Sequence, residues 1–93
     1  MARKRVRIRG EVQGVCFRTS AQEAAWRLDL LGWVRNRADP RLLELVVEGD
    51  DLSVETFVRW CQDGPPLARV ETVEVEDEPL GEALKPFAIL PTI

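Results

Sequence analysis

The chain has no histidine and no tyrosine, and Asn36 is the one asparagine among its 93 residues. Histidine changes charge near neutral pH and is the commonest metal ligand. Its absence removes most general acid–base and metal-dependent chemistry from consideration. The two cysteines, Cys16 and Cys61, have neither metal-ligand spacing nor the look of a secreted disulfide framework, so neither a metal nor a cofactor is expected. No apolar run approaches the roughly 18 residues of a membrane-spanning helix. The opening Met1-Ala2-Arg3-Lys4-Arg5 lacks the apolar stretch of a signal peptide. A cytoplasmic protein with no membrane partner is expected.

What is present describes a small globular chain. Hydrophobic residues make up 45% of it, enough for a core, and residues 1–93 are read as one domain, expected to be monomeric. The net charge of −3 hides an asymmetry: residues 1–41 sum to +6 and residues 42–93 to −9. Basic strands facing acidic strands across one sheet would explain most of it. Arg18 is the exception, because it falls in a loop rather than a strand.

Periodicity supplies the elements. Val6, Ile8, Gly10 and Val12 alternate with Arg5, Arg7, Arg9 and Glu11, the pattern of a half-buried strand. After a turn from Gln13 to Thr19, Ser20-Ala21-Gln22-Glu23 has the form of a capping box. The spacing of Ala21, Ala24, Ala25, Leu28 and Leu31 then predicts a helix closed by Gly32. Its start could fall one turn earlier, near Arg18. Strands are expected over Trp33 to Ala38 and Leu43 to Glu48, joined by a turn at Asp39-Pro40-Arg41. A second helix capped by Asp51 would bury Val54, Phe57, Val58 and Cys61 and stop at Gly64-Pro65-Pro66. The strand from Ala68 to Glu76 changes apolar phase between Val70 and Val73, which predicts a bulge. Phe87 to Leu90 would add a short fifth strand. The order β-α-β-β-α-β is the ferredoxin-like α+β pattern, an α/β sandwich with an antiparallel sheet and both helices on one face.

The turn Gln13-Gly14-Val15-Cys16-Phe17-Arg18 would join a central strand to a helix N-terminus, where backbone N–H groups lack internal partners. Such groups can cradle a phosphate-sized anion, and the planar fork of Arg18 can grip the same oxygens. A cysteine-dependent phosphatase would need an arginine six residues beyond Cys16, where Gln22 stands. A nucleotide P-loop would need a Gly-Lys-Ser/Thr run, and there is none. Asn36 has an amide that can orient a water but cannot act as a base. Arg35 and Arg37 are expected on the opposite face of its strand. Trp26, Trp33 and Trp60 are read as packing residues. No aromatic pair interleaves the basic first strand, so nucleic acid is not the expected partner.

Gly10-Glu11-Val12-Gln13-Gly14-Val15-Cys16-Phe17-Arg18, Gly32-Trp33-Val34-Arg35-Asn36 and the run from Gly64 to Val75 together resemble the acylphosphatase family. The resemblance extends from about Arg3 to Phe87. It implies hydrolysis of the carboxyl–phosphate bond of acyl phosphates to carboxylate and inorganic phosphate, without metal or cofactor. By position it implies that Arg18 binds the phosphoryl group, Asn36 orients the water, and Gly14, Val15, Cys16, Phe17 and Arg18 supply the loop amides. The turn beyond Asn36 departs from the family pattern: Pro40 stands where a glycine is usual, and the stretch to Gly49 is one residue longer. The change is expected to be absorbed at the hairpin tip. The alternative reading is a ferredoxin-like module that binds an anion or RNA without catalysis.

Overall fold

The computed structural model describes residues 1–93. Its elements are β1 (Ala2–Glu11), α1 (Phe17–Arg27), β2 (Leu31–Asn36), β3 (Leu42–Gly49), α2 (Asp51–Asp63), β4 (Arg69–Asp77) and β5 (Ala88–Ile89). The sheet order is β4-β1-β3-β2-β5. This is the expected ferredoxin-like arrangement, with β1 and β3 at the centre. β5 runs parallel to β2, so the sheet is mixed rather than wholly antiparallel.

The alternation read in β1 holds. Val6 and Ile8 are fully buried and Val12 nearly so, while the odd-numbered arginines face the open side. The helices cover the other side, α1 over β2 and β5, α2 over β1 and β4. One core of 15 buried residues joins strand residues such as Ile8, Val34 and Leu45 to Ala21, Ala25, Val54, Phe57 and Cys61 of the helices. Burial of each large apolar side chain there contributes about 1.5–3 kcal/mol. Phe17, Phe57 and Phe87 anchor this core, with Trp60 stacked on Phe57 and edge-on to Phe17.

Several local expectations give way to tertiary structure. α1 begins at Phe17, a turn before the capping box at Ser20, and its cap residue Cys16 lies in the left-handed region with φ 64° and makes no side-chain cap. The sequence of α1 ends at Arg27, and Asp29 at φ 56° reverses the chain. Gly32 is therefore not the helix stop. It lies inside β2 at φ 136°, where a Cβ would fall 1.9 Å from the Val46 carbonyl oxygen. Close backbone approach, not helix termination, requires this glycine. Leu31 accordingly belongs to β2, and Leu30 fills the core in its place. α2 is capped by Asp50, not Asp51, through a side-chain bond from the Ser53 N–H. The predicted bulge is present: β1 residues Arg9 and Gly10 pair with Thr72 and Val70, skipping Glu71.

On the open face the charge asymmetry resolves into ladders. Arg5 bonds Glu78 and Glu44, Arg7 bonds Glu76, and Arg3 bonds Glu48, while Lys4, on the helix side with Val6, bonds Asp77. Glu44, only 4% exposed, accepts from Arg5 at 2.9 Å and Arg37 at 2.7 Å, with Arg7 Nε 3.4 Å away. These pairs neutralise the basic face that an RNA-binding reading would need. Burial pushes the Glu44 carboxyl up, but the bonds from Arg5 and Arg37 outweigh it and hold its pKa below the ordinary carboxylate value. A lowered folded-state pKa adds stability above the unfolded pKa, and that stability disappears as pH falls through the folded pKa. Urea unfolding should therefore show stability falling as pH drops below about 4.5. Glu44→Gln should flatten that acid limb and cost about 1–3 kcal/mol at pH 7.

Candidate functional site

Because β1 pairs antiparallel with β3, and β3 antiparallel with β2, β1 and β2 point the same way. Their C-terminal ends therefore meet at one end of the sheet. The loop after β1 and Asn36, the last residue of β2, lie there together. A cleft of about 340 Å³ between them is lined by Val12, Gly14, Cys16, Phe17, Arg18, Thr19 and Asn36.

The loop is shaped by two left-handed residues on either side of Val15, Gly14 at φ 75° and Cys16 at φ 64°. None of the backbone N–H groups from Gly14 to Thr19 donates to a backbone carbonyl; the first to do so is Ser20, to Cys16 O at 3.0 Å. Phe17, 1% exposed, pins the start of α1 into the core against Trp60. Arg18 follows it, half-buried, with no carboxylate partner and no side-chain hydrogen bond in the protein. The first turn of α1 carries no acidic residue. A free cation at the positive end of a helix dipole is unfavourable by itself, and an anion between the two would reverse that balance. Of the four basic side chains without an ion pair, Arg18, Arg35, Arg69 and Lys85, only Arg18 lines the cleft.

Asn36 is 7% exposed, and its side-chain oxygen has no hydrogen-bond partner in the protein. A buried amide oxygen without a partner is uncommon. Asn36 is one of the residues lining the cleft. Arg35 and Arg37 point away as expected. Arg35 stacks on Trp33 at 5.1 Å, and Arg37 bonds Glu44.

Gly14, Cys16, Phe17, Arg18 and Asn36 are thus brought together. Val15 is not part of the cleft lining; its side chain packs against the core. Val12 and Thr19 line the cleft without having been singled out in the sequence. Val12 read only as a strand residue, and Thr19 carried no spacing signal. A larger cleft, about 570 Å³, lies at the far end of β1 and includes Met1, Arg3, Lys4, Asp51, Asp77 and Leu80. Its charges are already paired as Lys4–Asp77 and Met1 N-terminus–Asp51, which leaves no free group for a ligand. No group of three or more Cys, Asp or Glu side chains is arranged to hold a metal ion.

The Pro40 connection is held at its tip. Arg37 N–H bonds Leu42 O at 3.1 Å, Leu42 N–H bonds Asp39 O at 3.0 Å, and Arg41 N–H bonds the Asp39 side chain. Asn36 stays in register opposite Leu43, so the altered turn is absorbed beyond it, as expected.

Residues 4–89 match the model of the Acylphosphatase family. Over all 93 residues the chain is 50% identical to an acylphosphatase of Pyrobaculum aerophilum, covering 98% of that protein. It is 52% identical over 87 residues to an acylphosphatase of Rubrobacter xylanophilus, covering 94% of this chain and 78% of that one. The crystal structure of acylphosphatase from Bacillus subtilis superposes with a TM-score of 0.90 at 33% identity, covering 97% of this chain and 99% of that one.

The loop geometry makes a stability prediction. Cys16 is exposed, so its left-handed backbone, costing about 1–2 kcal/mol for a residue with a Cβ, dominates substitutions there. Urea denaturation should rank Cys16→Gly at least as stable as the parent, and Cys16→Val about 1 kcal/mol below it.

Proposed function

The chain belongs to the acylphosphatase family and hydrolyses the carboxyl–phosphate bond of acyl phosphates; we propose that it does so with Arg18 holding the phosphoryl group and Asn36 directing the attacking water. The observation that carries this assignment is one cleft where an unpaired arginine, a loop of free backbone N–H groups and an unpartnered asparagine oxygen meet.

The phosphoryl oxygens sit against the N–H groups from Gly14 to Arg18, with the Arg18 fork donating to the same oxygens. In phosphoryl transfer, charge spreads over the equatorial oxygens, and catalysis is largely positioning and electrostatic stabilisation. Cys16 contributes its N–H and its left-handed backbone, not its thiol. The water donates one hydrogen to Asn36 Oδ1, which aims an oxygen lone pair at phosphorus along the line of the departing carboxylate. The amide is no base, and none is needed: the leaving carboxylate is stable without protonation, and the water's proton passes to a phosphate oxygen of the substrate. The products are a carboxylate and inorganic phosphate. We read the protein as a cytoplasmic monomer acting on small molecules.

Hydrolysis of an aromatic acyl phosphate in the presence of chelator tests the assignment. Arg18→Ala should lose on the order of 10² to 10³ in turnover, with inorganic phosphate becoming a weaker competitor. Near-normal turnover in that variant would rule out its role. Asn36→Ala should lose turnover while still being inhibited by inorganic phosphate; a loss of phosphate binding alone would remove Asn36 as the water guide. Turnover of the parent should show no ionisation near pH 6.5, the ordinary histidine value.

A further inference from the structure

Gln13 stands between the end of β1 and Gly14. Its side-chain nitrogen donates to three backbone carbonyls of the β2–β3 connection, those of Arg37, Asp39 and Leu42, each at 3.0 Å. An amide group carries two hydrogens, so one of them is shared between two acceptors. Three carbonyl oxygens gathered around one point repel one another unless a donor sits among them. The first of the three belongs to the residue immediately after Asn36. One side chain from the anion loop thereby sets the shape of the segment that carries Asn36 out of the sheet.

That link matters here because of the turn it holds. Pro40 has no N–H to donate and a fixed φ, so this connection cannot close itself through a backbone bond at that position. Its internal bonds are Arg37 N–H to Leu42 O, Leu42 N–H to Asp39 O and Arg41 N–H to the Asp39 side chain, and only the first spans the turn from end to end. Towards the anion loop, the other tie is Gly10 N–H to Arg41 O at 3.0 Å. Gln13 is the side chain that binds both the near end of the turn, at Arg37, and its far end, at Leu42.

We propose that Gln13 is a positioning residue for hydrolysis: it fixes the aim of Asn36 relative to the phosphate cradle by holding the Pro40 turn. The proposal rests on the reading above that Asn36 directs the water. Gln13 touches neither phosphate nor water. Its loss should therefore affect the rate of the chemical step and leave anion binding in place.

Turnover, KM, inhibition by inorganic phosphate and thermal unfolding would be measured for the parent, Gln13→Met, Gln13→Lys, Asn36→Ala and the Gln13→Met/Asn36→Ala double variant. Methionine keeps the length of the side chain and removes the donors; lysine supplies three donors to the three carbonyls. Gln13→Met should lower kcat about tenfold with phosphate inhibition little changed, since small misplacements of a reacting group are costly. Gln13→Lys should recover most of that loss. In the Asn36→Ala background, Gln13→Met should cost less than about twofold, because the group it aims is already gone. Undiminished kcat in Gln13→Met, parallel loss of phosphate inhibition, failure of lysine to rescue, or an equal loss in both backgrounds would each overturn the proposal. Normal turnover by Asn36→Ala would instead remove the role given to Asn36, and the Gln13 proposal with it.

Discussion

The pairing of β1 with β3 is the constraint on which the rest of the molecule depends. It runs from Ala2↔Gly49 to Arg9↔Leu42 and makes β1 and β2 parallel neighbours-but-one around a shared partner. An anion loop and an asparagine distant in sequence then emerge at the same sheet end without any contact of their own having to bring them together. A slip of one residue in this register would turn Val6 and Ile8 out of the core and their arginine neighbours into it. The pattern of β1 therefore protects the site geometry as firmly as it protects the core.

Electrostatics reinforces the same division. Strand arginines meet acids on β3 and β4, and the buried Glu44 collects several of them at once. The cations of β1 are thus consumed by the fold. Arg18 escapes because it sits where a loop becomes a helix, beyond the reach of the acidic strands. A chain with negative net charge can in this way present a locally positive cleft beside Arg18.

The elements with strong periodicity were legible from sequence: the alternation of β1, the buried stripe Val54, Phe57 and Cys61 of α2, and the phase change that marks the bulge beside Glu71. Arg18 and Asn36 could be named because a glycine-bearing turn ahead of a helix, a lone asparagine and the family resemblance pointed to them; Val12 and Thr19 of the same cleft could not. The junctions were less legible. Ser20 has the chemistry of a helix cap, yet Cys16 takes that place, because the loop turns left-handed at Cys16 and Phe17 must be buried. Gly32 reads as a helix stop, but what it answers to is Val46 on a neighbouring strand, a contact that no local pattern encodes. The three bonds of Gln13 were hidden for the same reason: their acceptors are backbone atoms, which look alike in every sequence.

The bulged outer strand has a consequence for the company this protein keeps. β4 lies at the sheet margin with an unpaired side, and such a margin is a template on which another chain's strand can add itself. Glu71, Glu74, Glu76 and Asp77 crowd nine residues of that strand, and a bulge at Glu71 interrupts its pairing, a feature that sharpens local twist. A second copy approaching this margin in the antiparallel sense meets its own negative charge. The acids that neutralise the arginines of β1 within one molecule therefore also oppose edge-to-edge aggregation between molecules.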